Sequence, residues 1–177
     1  MKNTLLFILL LAALSFSACE KEKTPPTELE KLPAATQEGK NTFGCLVDGK
    51  AWTPKWGGLL KPELTPMYNE IIGQFALTAY QYQNDSRESI SLGTKPQGVF
   101  APGEVITRDS NFVYVSKKDP CSSSSQSFYW SKSGTIQITR LDVSTGIISG
   151  TFEFDAVSET CQDTVRITDG RFDIKYK

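Results

Sequence analysis

"TVRITDGRFDIKY", residues 164–176, carries the pattern that decides the fold of this chain. Apolar and polar side chains alternate on both sides of Asp169-Gly170, as is typical of strands with one buried face. An Asp-Gly pair between two such runs favours a two-residue hairpin turn, because both turn residues need a positive φ. We therefore predict a hairpin here, and the alternative is one continuous strand bent at Gly170. The apolar positions are Val165, Ile167, Phe172 and Ile174.

The same alternation recurs along the rest of the chain. A second Asp-Gly pair, Asp48-Gly49, divides "FGCLVDGKAW" (43–52) and predicts another hairpin. In the run 71–82 we expect one core face, formed by Ile71, Phe75, Leu77 and Ala79. Further alternating or β-branched runs occupy 89–92, 111–115, 134–139 and 148–156. Together they predict an all-β domain, an antiparallel β-sandwich or flattened barrel of about 8–10 strands.

The first 18 residues have the features of a secretory signal peptide. An apolar run from Leu5 to Leu14 follows a short positive start, and it is too short to span a bilayer, which takes about 20 residues. Small residues then precede Cys19, as before a cleavage site. Ser17-Ala18-Cys19 resembles a bacterial lipobox, whose cysteine receives acyl chains such as palmitate, although Phe16 stands where Leu is usual. The alternative is an ordinary signal peptide with an incidental cysteine.

Lipidation at Cys19 would place the chain at a bacterial outer membrane, on its periplasmic or cell-surface side. "CEKEK" (19–23) is similar to the short charged signal of surface-exposed lipoproteins in the Bacteroidota. Residues 19–41 are rich in charge and proline, which predicts a disordered linker after the lipidated cysteine. The expected organisation is a signal peptide (1–18), this linker (19–41) and a single all-β domain (42–177).

Composition excludes several classes of function. The chain of 177 residues has no histidine, which excludes Ser-His-Asp and Cys-His catalysis and zinc sites built on imidazole. A net charge of −1 without a basic block argues against nucleic-acid binding. No loop has the spacing of a calcium site. We expect no catalytic residue, no metal and no cofactor.

Three cysteines remain after Cys19, namely Cys45, Cys121 and Cys161. An oxidising envelope permits a disulfide, and three pairings are possible. We favour Cys121 with Cys161, because both lie in polar segments between predicted strands. That bridge would add about 4 kcal/mol of stability by the chain-entropy relation. Cys45 lies in an apolar run and is expected to be a small buried hydrophobe.

Aromatic residues are the candidates for ligand binding. Trp56 is flanked by proline, lysine and glycine in "PKWGG" (54–58) and is a candidate exposed platform. Tyr129 and Trp130 in "SFYWS" (127–131) could stack against sugar rings. The alternative is a strand whose alternate aromatics enter the core. Trp52 is expected in the core.

Glu153 and Asp155 alternate with phenylalanines in the run 148–156 and should share one outward face. Two carboxyl groups roughly 5–9 Å apart can hydrolyse glycosides. The alternative is that these acids only solvate the outer face of a strand.

"NTFGCLVDGKAWTP" (41–54), "IISGTFEF" (147–154) and "CQDTVRITDGRFDIKY" (161–176) resemble an uncharacterised lipoprotein family of the Bacteroidota, a domain of unknown function. The resemblance covers most of residues 41–177. It implies an all-β envelope domain and no established activity. We therefore expect a membrane-anchored, non-catalytic binding module for a glycan or a protein. The alternatives are a carboxylate-dependent enzyme acting on a glycan and a purely structural envelope protein.

Overall fold

The computed structural model describes residues 25–59, 63–83, 86–94, 96, 105–107, 110–116, 127–158, 160 and 163–177. Within these ranges the chain forms one short 3-10 turn, Leu29–Lys31, and ten β-strands. No helix there is long and apolar enough to cross a bilayer. The strands are β1 (Thr42–Val47), β2 (Lys50–Trp52), β3 (Leu64–Asn69), β4 (Gln74–Gln83), β5 (Ser86–Thr94), β6 (Val105–Thr107), β7 (Ser110–Ser116), β8 (Ser127–Asp142), β9 (Ile147–Ser158) and β10 (Thr164–Lys175).

The strands pair antiparallel in the order β2-β1-β10-β9-β8-β7-β5-β4-β3, and β6 pairs with β8. This ladder folds over, so that strands far apart in the order face each other. Phe75 of β4, for example, stacks on Phe172 of β10 with ring centroids 5.2 Å apart. The described ends of the path, β2 and β3, do not pair with each other, so the ladder is not a closed barrel. The structure confirms the all-β sandwich.

The core lies between the two layers and contains the apolar positions of the alternating runs. Ile71 is the exception, because β4 begins only at Gln74 and the residues before it form the turn from β3. Its side chain is 92% exposed, so its expected place in the core was wrong. The buried residues include Phe75, Leu77, Ala79, Ile90, Leu92, Ile136, Ile138, Ile148, Phe152, Phe154 and Ala156.

The two Asp-Gly pairs adopt different structures. Asp48 and Gly49 both have positive φ, 48° and 77°, and join β1 to β2 in the predicted hairpin, with Val47 opposite Lys50. At the second pair only Asp169 has a positive φ, 52°. β10 continues through this pair without a chain reversal. The hairpin predicted there was wrong, and the continuous strand is correct.

β10 stays continuous because it pairs with β9 from Thr164 to Lys175 on one side and with β1 from Ile167 to Asp173 on the other. A register shift between Ile167 and Gly170 forms a β-bulge, which moves the strand by one residue relative to its partner. The apolar side chains before and after the bulge therefore point into the same core. At Gly170 a Cβ would lie 2.4 Å from the Phe152 carbonyl oxygen, so this position has room only for glycine. The residues aligned in this way are Val165, Ile167, Phe172 and Ile174.

Residues 25–41, which we name the N-terminal strap, lie against the sheet. The Glu28 carboxylate accepts the Ala51 N–H of β2 at 2.8 Å. Pro33 packs so closely on Gly44 of β1 that a Cβ there would lie 2.6 Å from the proline ring. The predicted disordered linker was therefore wrong for residues 25–41. Residues 19–24 and the signal peptide lie outside the described residues.

Asp173 of β10 holds the strap to the domain. Its side chain is 1% exposed, and a buried carboxylate is costly unless hydrogen bonds satisfy it. Burial by itself raises the pKa of Asp173, but the hydrogen bonds outweigh that effect and lower the pKa to about 2. The donors are the Thr36 hydroxyl (2.6 Å), the Glu38 N–H (2.9 Å), the Gly39 N–H (2.8 Å), the Lys40 N–H (3.2 Å) and the Ser149 hydroxyl (2.7 Å).

We expect Asp173→Asn to lower the free energy of unfolding at pH 7 by about 2–4 kcal/mol. The side-chain NH2 group of asparagine would face N–H and O–H donors of the strap, where the wild type has a carboxylate oxygen that accepts from them. The folded pKa lies below the ordinary value of 3.8. The stabilisation from Asp173 is therefore present above about pH 4 and is lost as the pH falls toward 2. Urea unfolding between pH 7 and pH 2 should show the two proteins converging in acid.

The exposed Asp163 provides the matched control. Asp163→Asn should change stability by no more than about 0.5 kcal/mol. Limited proteolysis at Lys31 and Lys40 should accelerate in Asp173→Asn alone. Equal stability of the wild type and Asp173→Asn at pH 7 would show that the carboxylate does not hold the strap.

Candidate functional site

A groove lies beside β3, at one end of the strand order. We name it the Trp56 groove, and it encloses about 520 Å³. A neighbouring pocket of about 320 Å³ shares three of its lining residues. The residues that line the groove are Asn41, Trp56, Glu63, Leu64, Pro66 and Lys175.

The backbone on both sides of Trp56 is held in place. The Lys55 N–H donates to the Tyr80 carbonyl of β4 at 2.9 Å, and the Tyr82 N–H donates to the Lys55 carbonyl at 3.2 Å. Gly57 lies on the Tyr82 ring, where a Cβ would be 2.5 Å from Cγ. The indole of Trp56 is nevertheless 63% exposed. A backbone that is already fixed lowers the conformational entropy that ligand binding at this residue would cost.

Polar groups surround an apolar floor in the Trp56 groove. Leu64 and Pro66 of β3 are half-buried and form the floor. Asn41 stands at the rim, where its side-chain oxygen accepts the Lys175 N–H at 2.9 Å. The exposed Glu63 adds a carboxylate. A concave site with an aromatic wall and a few polar groups is the usual form of a small-ligand site.

The structure separates the two aromatic residues predicted to act together in β8. Tyr129 is only 4% exposed and packs on Tyr114, with ring centroids 5.6 Å apart. Trp130 points to the opposite face and is 50% exposed. The residue that shares the outer face with Trp130 is Phe128, which is 52% exposed. Tyr129 is therefore a core residue, and strand alternation from Trp130 would have indicated Phe128 instead.

Glu153 and Asp155 lie on the outer face of β9, as expected, and both line a cleft of about 400 Å³. Arg166 of β10 lies opposite Asp155 and donates from Nε to its carboxylate at 3.2 Å. Arg166 was not among the predicted site residues, because a two-residue turn at Asp169-Gly170 would place it opposite Asp173 and not opposite Asp155. The other lining side chains include the hydroxyls of Ser133, Thr135 and Thr168.

The remaining candidates have structural roles or lie outside the described residues. Trp52 is buried, and its Nε1 donates to Glu88 at 3.0 Å, so its expected place in the core is confirmed. Cys45 is free and buried, and burial raises the pKa of its thiol. Cys19, Cys121 and Cys161 lie outside the described residues, so lipidation and the disulfide stay predictions. Within the described ranges no group of three or more His, Cys, Asp or Glu could hold a metal ion.

A comparison with known families matches residues 73–173 to the family described as "Domain of unknown function (DUF6252)". The chain belongs to the DUF6252 family. This confirms the expected membership in an uncharacterised domain family. The DUF6252 match begins just before β4 and ends within β10, so it includes Trp130 and excludes Trp56. No curated protein and no solved structure matches the chain.

The three tryptophans of this DUF6252 protein should differ in solvent access. In Trp56→Phe/Trp130→Phe only Trp52 remains, and we expect blue-shifted emission with weak acrylamide quenching, because that indole is buried. Trp52→Phe is the matched control and should keep strong quenching. If the double variant were quenched as strongly as the wild type, the assignment of Trp56 and Trp130 to the surface would be wrong.

Proposed function

We propose that this chain is a lipid-anchored protein of the bacterial cell envelope that binds a glycan in the Trp56 groove. The observation that carries the proposal is the exposed indole of Trp56 on a fixed backbone above a concave apolar floor. Sugars present apolar C–H faces that stack on aromatic rings, and their hydroxyls need polar partners. Asn41, Glu63 and Lys175 supply such partners around the indole.

The number of carboxylates in the groove supports binding without hydrolysis. Glycoside hydrolysis generally needs two carboxyl groups placed on either side of the scissile bond. Among the described residues that line the groove and its neighbouring pocket, Glu63 is the single carboxylate. We therefore propose recognition of the glycan rather than its cleavage at this site.

The N-terminal sequence supports the anchor. The apolar run before Ser17-Ala18-Cys19 has the length and ending of a cleaved signal. Two or more acyl chains hold a protein firmly, since each buried methylene contributes about 0.8 kcal/mol. The proposed location is the outer membrane, with the domain on the periplasmic or cell-surface side. We also propose a disulfide between Cys121 and Cys161 that stabilises the domain.

Cys19→Ser should move the protein from the membrane fraction to the soluble fraction, because the residue that carries the acyl chains is removed. Intact-protein mass spectrometry should show the loss of the lipid mass. Cys45→Ala is the matched control, since it removes a buried thiol, and it should remain with the membrane. Unchanged fractionation and mass in Cys19→Ser would rule out the proposed anchor.

Trp56→Ala should weaken glycan binding by about tenfold or more, the usual effect of removing a central aromatic contact. The measurement is a glycan array probed with the full chain in a detergent that has no sugar headgroup. Leu59→Ala removes another strongly exposed apolar side chain and should bind like the wild type. Trp56→Phe keeps a ring and should retain part of the affinity. Equal binding by the wild type and Trp56→Ala would refute the role of the groove.

A further inference from the structure

The outer face of β8, β9 and β10, which we name the β8–β10 face, carries a second group of aromatic and polar side chains. Strand pairing places them in adjacent rows. One row has Trp130 opposite Val157. The next row on the same face runs from Ser133 through Asp155 to Arg166. The aromatic part and the polar part of this face are therefore neighbours.

Phe128 and Trp130 form the aromatic part of the β8–β10 face. They are two residues apart on one strand, which separates them by about 7 Å on the same side. Each ring is about half exposed. A pair of large exposed apolar side chains rimmed by polar groups indicates a surface that another molecule covers.

The polar part is the cleft of about 400 Å³ beside Trp130. Its lining carries two carboxylates, Glu153 and Asp155, and one cation, Arg166. Ser133 and two threonines add hydroxyl groups to the lining. A few charges of both signs among hydroxyl groups suit a neutral ligand with many hydroxyls. They do not suit a polyanion, which requires an excess of cations.

Two β-bulges lie at this cleft. One is the register shift between Ser131 and Ser133 in β8, where the aromatic part meets the polar part. The other follows Ile167 in β10. A bulge bends its strand and turns side chains away from their regular direction. The bends therefore allow a cleft to form on a face that would otherwise be an even sheet surface.

We infer that the β8–β10 face is a second carbohydrate site, separate from the Trp56 groove, and that it takes a neutral glycan. Phe128 and Trp130 stack on the apolar faces of the sugar rings. Asp155 and Glu153 accept hydrogen bonds from sugar hydroxyls, and Arg166 donates hydrogen bonds to sugar oxygens. A polymer that reaches both sites is held more tightly than either site would hold it, because the second contact becomes intramolecular.

Affinity electrophoresis of the full chain tests this inference, with gels that contain a mixed-linkage β-glucan, an α-glucan or a mannan. At least one polysaccharide should retard the wild type. Trp130→Ala should raise the dissociation constant about tenfold or more, as expected for a central aromatic contact, and Trp56→Ala/Trp130→Ala should remove retardation. Asp155→Asn preserves the shape of the side chain and should also weaken binding. Ile71→Ala is the control, since this exposed apolar residue lies outside both sites.

The outcomes separate the two sites, provided that circular dichroism shows folded variants. Loss of binding in Trp56→Ala with no change in Trp130→Ala would overturn this inference and leave the proposed function standing. Loss in Trp130→Ala with no change in Trp56→Ala would support the inference and overturn the role of the groove. A wild type that none of the gels retards would overturn both. Release of new reducing ends would also overturn the inference, because it would show cleavage at the face instead of binding.

Discussion

The bulge in β10 is the constraint on which the sandwich depends. β10 lies between β1 and β9, so its side chains must fill the core along its whole length. Its apolar residues occupy odd-numbered positions before Asp169 and even-numbered positions after Gly170. The positive φ of Asp169 and the missing side chain of Gly170 absorb the extra residue. Without that adjustment one half of the strand would present polar side chains to the core.

The same strand supplies the charge that fixes the beginning of the domain. Asp173 is buried where the strap meets β10, and three consecutive backbone N–H groups of the strap point at it. Backbone donors in such an arrangement make a concave site for an anion, and here the anion is a side chain of the domain itself. The strap is therefore a part of the fold, and its contacts with the sheet reach back to Glu28. Its contact with β2 through Glu28 also covers an edge strand, which limits unwanted pairing.

The two candidate sites arise from different features of the sandwich. The Trp56 groove lies next to β3, where the strand order ends, and the Lys55 backbone ties Trp56 to β4. The β8–β10 face lies on three central strands and gains its concavity from bulges. Both combine exposed aromatic rings with polar groups from separate segments of the chain. Such a combination suits ligands that have an apolar face and a polar edge.

Sequence alone determined the all-β class, most of the core and the hairpin at Asp48-Gly49, because alternation and turn residues act locally. It also singled out Trp56 and Trp130. Only the tertiary structure decided that the identical pair Asp169-Gly170 forms a bulge, since pairing on both sides of β10 outweighs a local turn preference. It likewise decided that the strap is ordered, that Tyr129 is buried and that Arg166 meets Asp155. Each of these depends on partners distant in the chain, and no local pattern specifies such partners.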